Sequence, residues 1–172
     1  MTYANVCKRG VRQAALALLG AAIPIAAVQA ECGCGYEESL PGRMTGGGSI
    51  FNTDGERVTH GFQLRCDSTA PQNLQMNWGK GNRFHLTEMI SVTCTDDPDI
   101  DPGKPFAAMD TLTATGYGRC NNVDDAYIIL TFQDAGEPGV LDYGEARIWG
   151  CPGGDFAIYG LLENGNHQAH MQ

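Results

Sequence analysis

Residues Arg57–Cys66 read RVTHGFQLRC, and the character of the side chain changes at every step along this stretch. One face collects Val58, His60, Phe62, Leu64 and Cys66. A period of two is the pattern of a half-buried β-strand, whose side chains point alternately to the core and to solvent. The turn signal NTDG at residues 52–55 comes directly before it. The sequence therefore predicts a β-hairpin with Ser49–Phe51 as the partner strand.

The same alternation recurs along the chain, while no stretch of helical length carries a convincing 3.6-residue pattern. The predicted inward positions of the later strands are Leu74, Met76 and Trp78; Ile90, Val92 and Cys94; Leu112, Ala114, Gly116 and Gly118; Ile128, Leu130 and Phe132; Ala146 and Ile148; and Phe156, Ile158 and Leu162. A turn at Asn164-Gly165 predicts a last strand that ends at His170. We predict an all-β fold, an antiparallel sandwich or barrel of about eight to ten short strands tied by disulfides.

Residues 1–30 have the anatomy of a secretory signal peptide, with a basic start, the apolar run Ala14–Val28 and small residues before a cleavage point at Glu31. The run is short for a bilayer and Pro24 interrupts it, so we predict no stable membrane span. Residues 31–46 lack periodicity and are predicted to be an irregular lead-in. Residues 47–172 then form a single all-β module that is secreted, periplasmic or associated with the cell surface.

The chain is acidic, with 20 acidic and 11 basic residues and a formal net charge of −9. Loss of Lys8, Arg9 and Arg12 with the leader takes the charge to about −12. Because such a chain repels phosphate backbones, we exclude nucleic acid and expect an extracellular ligand or protein as the partner. Cleavage also removes Cys7 and leaves an even set of cysteines, which predicts disulfides in an oxidising compartment. That set is Cys32, Cys34, Cys66, Cys94, Cys120 and Cys151.

Two acidic loops are candidates for a weak calcium site. In the first loop, Thr95–Pro105, the alternate carboxylates of Asp97, Asp99 and Asp101 could wrap a hard cation. The other interpretation of this loop is a solvated turn that its prolines stiffen. No other cofactor is predicted.

The second acidic loop offers Asp134, Glu137 and Asp142, which could share a cation or act as an acid and base pair in sugar hydrolysis. The interpretation that we favour is a hairpin connection in which Gly136 and Gly139 take positive φ and the proline between them sets the turn.

Histidines and aromatic residues supply the remaining candidates. His60 lies on the apolar face of its strand and is predicted to be a hydrogen-bonded core residue. His167 and His170 are three apart in a strand and should point to opposite faces. If several aromatic side chains share an exposed face, they could form a platform on which sugars stack; the interpretation that we favour is that they cover the edges and rims of the core. The candidates are Tyr36, Trp78, Tyr117, Tyr127, Trp149 and Tyr159.

The order of motifs along the mature chain resembles a bacterial secreted module, the post-choice-of-anchor (post-COAP) module. The matching segments are Gly47–Ile50, His60–Phe62 with Cys66-Asp67, Leu74–Trp78, Asn82–Thr87, Cys94–Pro98, Gly116–Arg119, Asp134–Gly139 with Asp142, and Gly165–His170. The resemblance implies an all-β domain outside the cytoplasm, of unassigned activity, on proteins whose surface attachment varies. It also places Cys66 and Cys94 in segments able to pair, on the inward faces of their strands, so we predict that disulfide. The pairing among Cys32, Cys34, Cys120 and Cys151 stays open.

We expect a non-catalytic module with a binding, adhesion or structural role at or beyond the cell envelope, because the chain holds no serine-nucleophile, phosphate-loop or metalloprotease motif. The alternatives are a secreted hydrolase built on the two acidic loops and a calcium-stabilised carbohydrate-binding domain. Carboxylates clustered in a cleft with a raised pKa would favour the enzyme. Loops that lie at opposite ends of the fold would favour the module.

Overall fold

Alternating burial organises this chain into nine strands, and no helix lies among the residues described. The computed structural model describes residues 38–52, 54–101 and 106–171. The strands are β1 Arg43–Phe51, β2 Arg57–Arg65, β3 Asn73–Trp78, β4 Asn82–Thr95, β5 Thr111–Cys120, β6 Val123–Gln133, β7 Tyr143–Trp149, β8 Phe156–Leu161 and β9 Asn164–His170. The predicted leader 1–30, Cys32, Cys34 and Tyr36 lie outside the described residues.

The nine strands form one antiparallel sheet in the order β8-β7-β6-β5-β4-β3-β2-β1-β9. Strands β1 to β8 follow one another as neighbours, and β9 returns to pair with β1. The sheet curls into a half-barrel, so that the inward faces of distant strands share one hydrophobic core. The connection from β8 to β9 lies against β1, where the Glu163 amide donates to the Ser49 carbonyl, 2.9 Å away. The predicted all-β fold and the hairpin of β1 and β2 are thus confirmed.

Two disulfides tie the sheet. Cys66–Cys94 joins the ends of β2 and β4 across β3, as predicted. Cys120–Cys151 joins the last residue of β5 to the second residue after β7, across β6. Both bonds are consistent with an oxidising compartment. Within the described ranges no helix has the length and hydropathy of a membrane span.

The first strand begins six residues earlier than the predicted strand Ser49–Phe51, at Arg43, and so extends into the predicted lead-in 31–46. Met44 is fully buried between Leu64 on β2 and Ala169 on β9. The glycines of β1 have no side chains to show the alternation of a strand, but they allow the neighbouring strands to pack closely. A Cβ at Gly46 would meet the Asn166 carbonyl and the His167 backbone within 3 Å. The residues predicted as irregular at 43–46 therefore belong to a central strand.

Two further details differ from the predicted pattern. Ile90, expected on the inward face, is 49% exposed. An extra residue in a bulge reverses the alternation of inward and outward side chains. The register shift between Leu86 and Glu88 therefore turns Ile90 outward, and the shift between Met89 and Ser91 restores the original alternation after it. The turn predicted at Asn164-Gly165 lies inside β9, and residues 162 and 163 make the connection from β8.

Candidate functional site

Three aromatic side chains form a row on the outer face of β5, β6 and β7, with Tyr117 and Trp149 exposed and Tyr127 half-buried between them. Tyr117 and Tyr127 are register partners, and so are Tyr127 and Trp149. The ring centroids lie 5.3 Å apart in the first pair and 5.8 Å in the second. Their inward neighbours, such as Ala126 and Ile148, are fully buried, so the alternation of the strands fixes the rings on the outside. We call these three residues the aromatic row.

One end of the aromatic row opens onto a shallow depression of about 300 Å³ beside Trp149. Ile129 supplies an apolar wall, and Glu145 and Arg147 supply polar groups. Arg147 Nε donates to Glu145 Oε1 at 3.2 Å, and the Tyr143 hydroxyl donates to Glu145 Oε2, also at 3.2 Å. At this end of the row, an aromatic surface therefore lies beside polar side chains whose positions are fixed by hydrogen bonds to one another.

The other end of the aromatic row opens onto a wider depression of about 860 Å³ beside Tyr117. Glu88, Arg119, Asp124 and Asp125 line it. Arg119 Nε donates to Asp124 Oδ1 at 2.8 Å, which orients both side chains on the surface. Polar groups thus flank the row at both ends.

The other aromatic candidates lie elsewhere. Trp78 belongs to the core, where it stacks on Phe156 with ring centroids 4.3 Å apart, in agreement with the favoured interpretation, and it takes no part in a platform. Tyr159 is 61% exposed, but it lies on β8 beside Phe51 and Asn52, apart from the row.

The first predicted calcium loop is organised by backbone hydrogen bonds. Asp97 Oδ1 accepts from the Asp99 amide at 3.0 Å, which forms a local turn. The Asp97 amide donates to the carboxylate of Asp110, at 3.0 and 3.1 Å from its two oxygens. Asp99 and Asp101 are exposed.

The carboxylates of the second loop accept hydrogen bonds from β9 along its unpaired edge. The carboxylate of Asp142 accepts from the Ala135 amide at 2.9 Å and from the His167 amide at 2.6 Å. Asp134 accepts from the Ala169 amide at 2.7 Å, and Glu137 accepts from the Asn166 side chain at 2.9 Å. These oxygens thus satisfy backbone donors of an edge strand.

The hairpin interpretation of this second loop is supported by its backbone, since Gly136 and Gly139 have φ of 87° and 79°. Among the residues that the structure describes, no group of three His, Cys, Asp or Glu side chains could hold a metal ion. Calcium binding at either loop stays a prediction.

Both acidic loops lie at the same end of the sheet, where the Asp134 amide donates to the Asp110 carbonyl at 2.9 Å, so the separation of the loops that would favour the module is not found. Asp142 is fully buried. Burial raises the pKa of Asp142 to about 6, and the charges of Asp134 and Glu137 add to this, while the amides of His167 and Ala135 oppose it. Because amides occupy both of its oxygens, the raised pKa does not make Asp142 available to a substrate.

A buried pair of histidines lies under β1, β2 and β9. His60 Nε2 and His167 Nε2 are 2.7 Å apart, and His60 stacks on Phe132 at 5.3 Å. His167 Nδ1 lies 3.1 Å from the Gln133 carbonyl, which can only accept, so this nitrogen carries the proton. His167 Nε2 is then an acceptor, and His60 Nε2 donates to it.

Burial keeps this pair neutral. It lowers the pKa of His60 to about 3, with a further contribution from His167, and lowers the pKa of His167 to about 4. The prediction of His60 as a hydrogen-bonded core residue is confirmed. His170 points outward from the same strand as the buried His167, also as predicted.

Sequence reasoning missed the partner of His60 and the pairing of Arg43 with Arg65 across β1 and β2. Alternation places His60 inward, but nothing near it indicates a residue 107 positions away. Arg43 lay in the predicted lead-in, so no strand period was available to place it.

No protein-family model, curated protein or solved structure matches this chain. The resemblance to post-choice-of-anchor modules stays a prediction from the motifs.

Proposed function

We propose that this chain is an exported, non-catalytic β domain that binds polysaccharide through the aromatic row, in adhesion or ligand capture at or beyond the cell envelope. The single observation that carries the proposal is the alignment of Tyr117, Tyr127 and Trp149 on one exposed face of adjacent strands. Export is supported by the signal-peptide pattern of residues 1–30 and by the two disulfides.

The chemistry of the row suits sugar rings. The faces of sugars carry C–H groups, which pack against the electron-rich faces of aromatic rings. Strands hold the three rings in a fixed line, so little side-chain freedom is lost when a chain of sugars binds along them. The flanking groups, Glu145 and Arg147 at one end and Arg119 and Asp124 at the other, can exchange hydrogen bonds with hydroxyls.

The position of the acidic groups argues for binding without hydrolysis. The most perturbed carboxyl, Asp142, lies in the core with both oxygens bonded to amides. A general acid must come within hydrogen-bond reach of the atom that it protonates. Asp142 accepts a hydrogen bond from the His167 amide of β9 and lies away from the aromatic row.

The proposal is tested by affinity electrophoresis of the mature chain in gels that contain neutral glucans, xylans or soluble chitin derivatives. We expect retardation by at least one of them. Trp149→Ala and Tyr127→Ala should each weaken binding about tenfold, the scale expected for removing one stacked aromatic ring. Tyr159→Ala is the control, because it removes a ring that is more exposed than those of the row but lies outside it, and it should bind like the unchanged protein.

Absence of retardation by every polysaccharide would contradict the proposal. An equal loss in Tyr159→Ala would place the binding surface elsewhere and so would also contradict it. Release of reducing ends from a retarding polysaccharide would overturn the non-catalytic assignment and return the hydrolase alternative.

A further inference from the structure

Two guanidinium groups lie side by side on the outer face of β1 and β2. Arg43 and Arg65 are register partners. Their chain neighbours Met44 and Leu64 are fully buried, so the alternation directs both arginines outward. Directly opposed residues of antiparallel strands have Cβ atoms about 4.5–5.5 Å apart, and like charges in that arrangement repel.

Neither arginine has an anionic partner among residues 38–52, 54–101 and 106–171. The ion pairs formed there are Arg119–Asp124 and Arg147–Glu145. The Nε atoms of Arg43 and Arg65 are both buried and have no hydrogen-bond partner. A charged donor removed from water without an acceptor costs free energy. This is an unusual arrangement in a chain of net charge −9, which has carboxylates in excess.

The register partners around the two arginines are also polar and none of them is acidic, although the carboxylate of Asp134 lies close enough to His170 to oppose the lowering of its pKa by burial and by Arg43. His170 on β9 is the register partner of Arg43. Its Nε2 lies 2.8 Å from the Thr45 hydroxyl oxygen. Gln63 and Gln168 stand opposite Thr45 on the strands at either side. The outer face of β9, β1 and β2 thus gathers hydrogen-bond donors around the paired guanidinium groups.

We propose that Arg43 and Arg65 form a binding site for an oxyanion, with Thr45 and His170 at its flank. A guanidinium group presents donors in a planar fork that matches the oxygens of a carboxylate, sulfate or phosphate. One oxyanion between the two forks accepts from N–H groups of both guanidinium groups and neutralises the repulsion between them. Strands β3 and β4 separate this site from the aromatic row, so it is a second site, independent of the proposed polysaccharide binding.

The test is calorimetric titration of the mature chain with sodium sulfate, sodium phosphate and sodium acetate, each at an ionic strength held constant with sodium chloride. We expect saturable binding of at least one of them. Arg43→Gln and Arg65→Gln should each weaken it about tenfold or more, the scale of a lost hydrogen bond to a charged group. Arg57→Gln is the matched control on β2, because Arg57 lies at the far end of the same strand pair, opposite Phe51.

Binding of sulfate and phosphate without acetate would assign a tetrahedral oxyanion, and the reverse would assign a carboxylate; both support the site. A titration without saturable heat for all three anions would overturn the proposal. An equal loss of affinity in Arg57→Gln would also overturn it. Thermal melting in chloride checks that the variants fold, and removal of one of two like charges should leave the melting temperature equal or higher.

Discussion

At the scale of single residues, the buried pair of His60 and His167 makes stability depend on pH. In an unfolded chain a histidine has a pKa of about 6.5. Burial holds the folded pKa values near 3 and 4, so below pH 6.5 the unfolded chain takes up protons that the folded pair does not. The contribution of each histidine is lost as the pH falls from about 6.5 towards its folded pKa.

Asp142 acts in the opposite direction. Its folded pKa of about 6 lies above the value of an unfolded aspartate, so the folded state takes up this proton first as the pH falls. By pH 5 this gain is on the order of 1 kcal/mol, against a loss on the order of 2 kcal/mol for each histidine. The histidines therefore outweigh the carboxyl.

We predict that the free energy of unfolding, measured by urea titration, falls by a few kcal/mol between pH 7 and pH 5. His60→Phe keeps an aromatic ring against Phe132 but removes one buried titration, while Asp142 still offsets part of the loss from His167, so this decrease should shrink to about a third. At pH 7 the variant should lose about 1 kcal/mol, because His167 Nε2 loses its donor.

His85→Gln is the control for this experiment, since His85 is exposed on β4 and has no part in the buried pair. Its urea curves should follow those of the unchanged protein at each pH. A His60→Phe variant that keeps the full decrease would refute the role of the pair.

At the scale of strands, glycines in β5 accommodate the irregular neighbour β4. A Cβ at Gly118 would overlap the carbonyl of His85 and the ring of Phe84. Gly116 packs in the same way against the backbone of Glu88, next to the first bulge of β4. The absence of side chains at these two positions lets a bulged strand lie close to a regular one.

We predict that Gly118→Ala lowers the free energy of unfolding by about 2–3 kcal/mol, the usual scale for overpacking a core. Gly61→Ala is the matched control in β2, because neither glycine has a positive φ and a Cβ at Gly61 meets no atom within 4 Å. The control should be neutral or more stable by up to about 1 kcal/mol, since alanine restricts the unfolded chain. Urea unfolding followed by tryptophan fluorescence measures both. Equal effects of the two substitutions would disprove the packing argument.

Strand patterns were readable from the sequence wherever one residue in two faces the core. The faces of β2, β3, β5 and β6 follow the predicted alternation, and this is why Tyr117 and Tyr127 could be placed outward. The predicted inward position of Ile90 was wrong because a bulge has no local signature in its own strand. The glycines that permit the bulge lie on β5. The start of β1 at Arg43 was not predicted because the glycines of this strand interrupt the alternation of apolar and polar side chains, although they improve the packing.

At the scale of the whole molecule, the return of β9 to β1 brings together groups that no local pattern connects. It places His167 beside His60, His170 beside Arg43, and the β9 amides beside Asp134 and Asp142. The carboxylates of the β6–β7 loop then cover an edge that would otherwise expose unpaired donors. The sequence marks these carboxylates as a cluster, but only the closure of the sheet decides that they cap a strand.

The two disulfides fasten opposite ends of this curled sheet, and their loops are nearly equal in length. Cys66–Cys94 closes a separation of 28 residues and Cys120–Cys151 one of 31. The loss of unfolded-chain entropy is therefore almost the same, and each bond should contribute about 3–4 kcal/mol. Their positions differ: Trp149 lies two residues before Cys151, and Tyr117 lies three before Cys120.

We predict that Cys66→Ser/Cys94→Ser and Cys120→Ser/Cys151→Ser lose similar free energies of unfolding but differ in polysaccharide retardation. Without Cys120–Cys151, the ends of β5 and β7 are held by their hydrogen bonds through β6 and by a long hydrogen bond from Asn121 Nδ2 to the Pro152 carbonyl, so the aromatic row should lose its fixed line and bind several-fold more weakly. Without Cys66–Cys94, the row keeps its nearby restraint and should bind as before. Urea unfolding and affinity electrophoresis under non-reducing conditions measure the two effects separately. Equal weakening of retardation in both variants would mean that binding follows global stability, and that the restraint beside the row has no part in it.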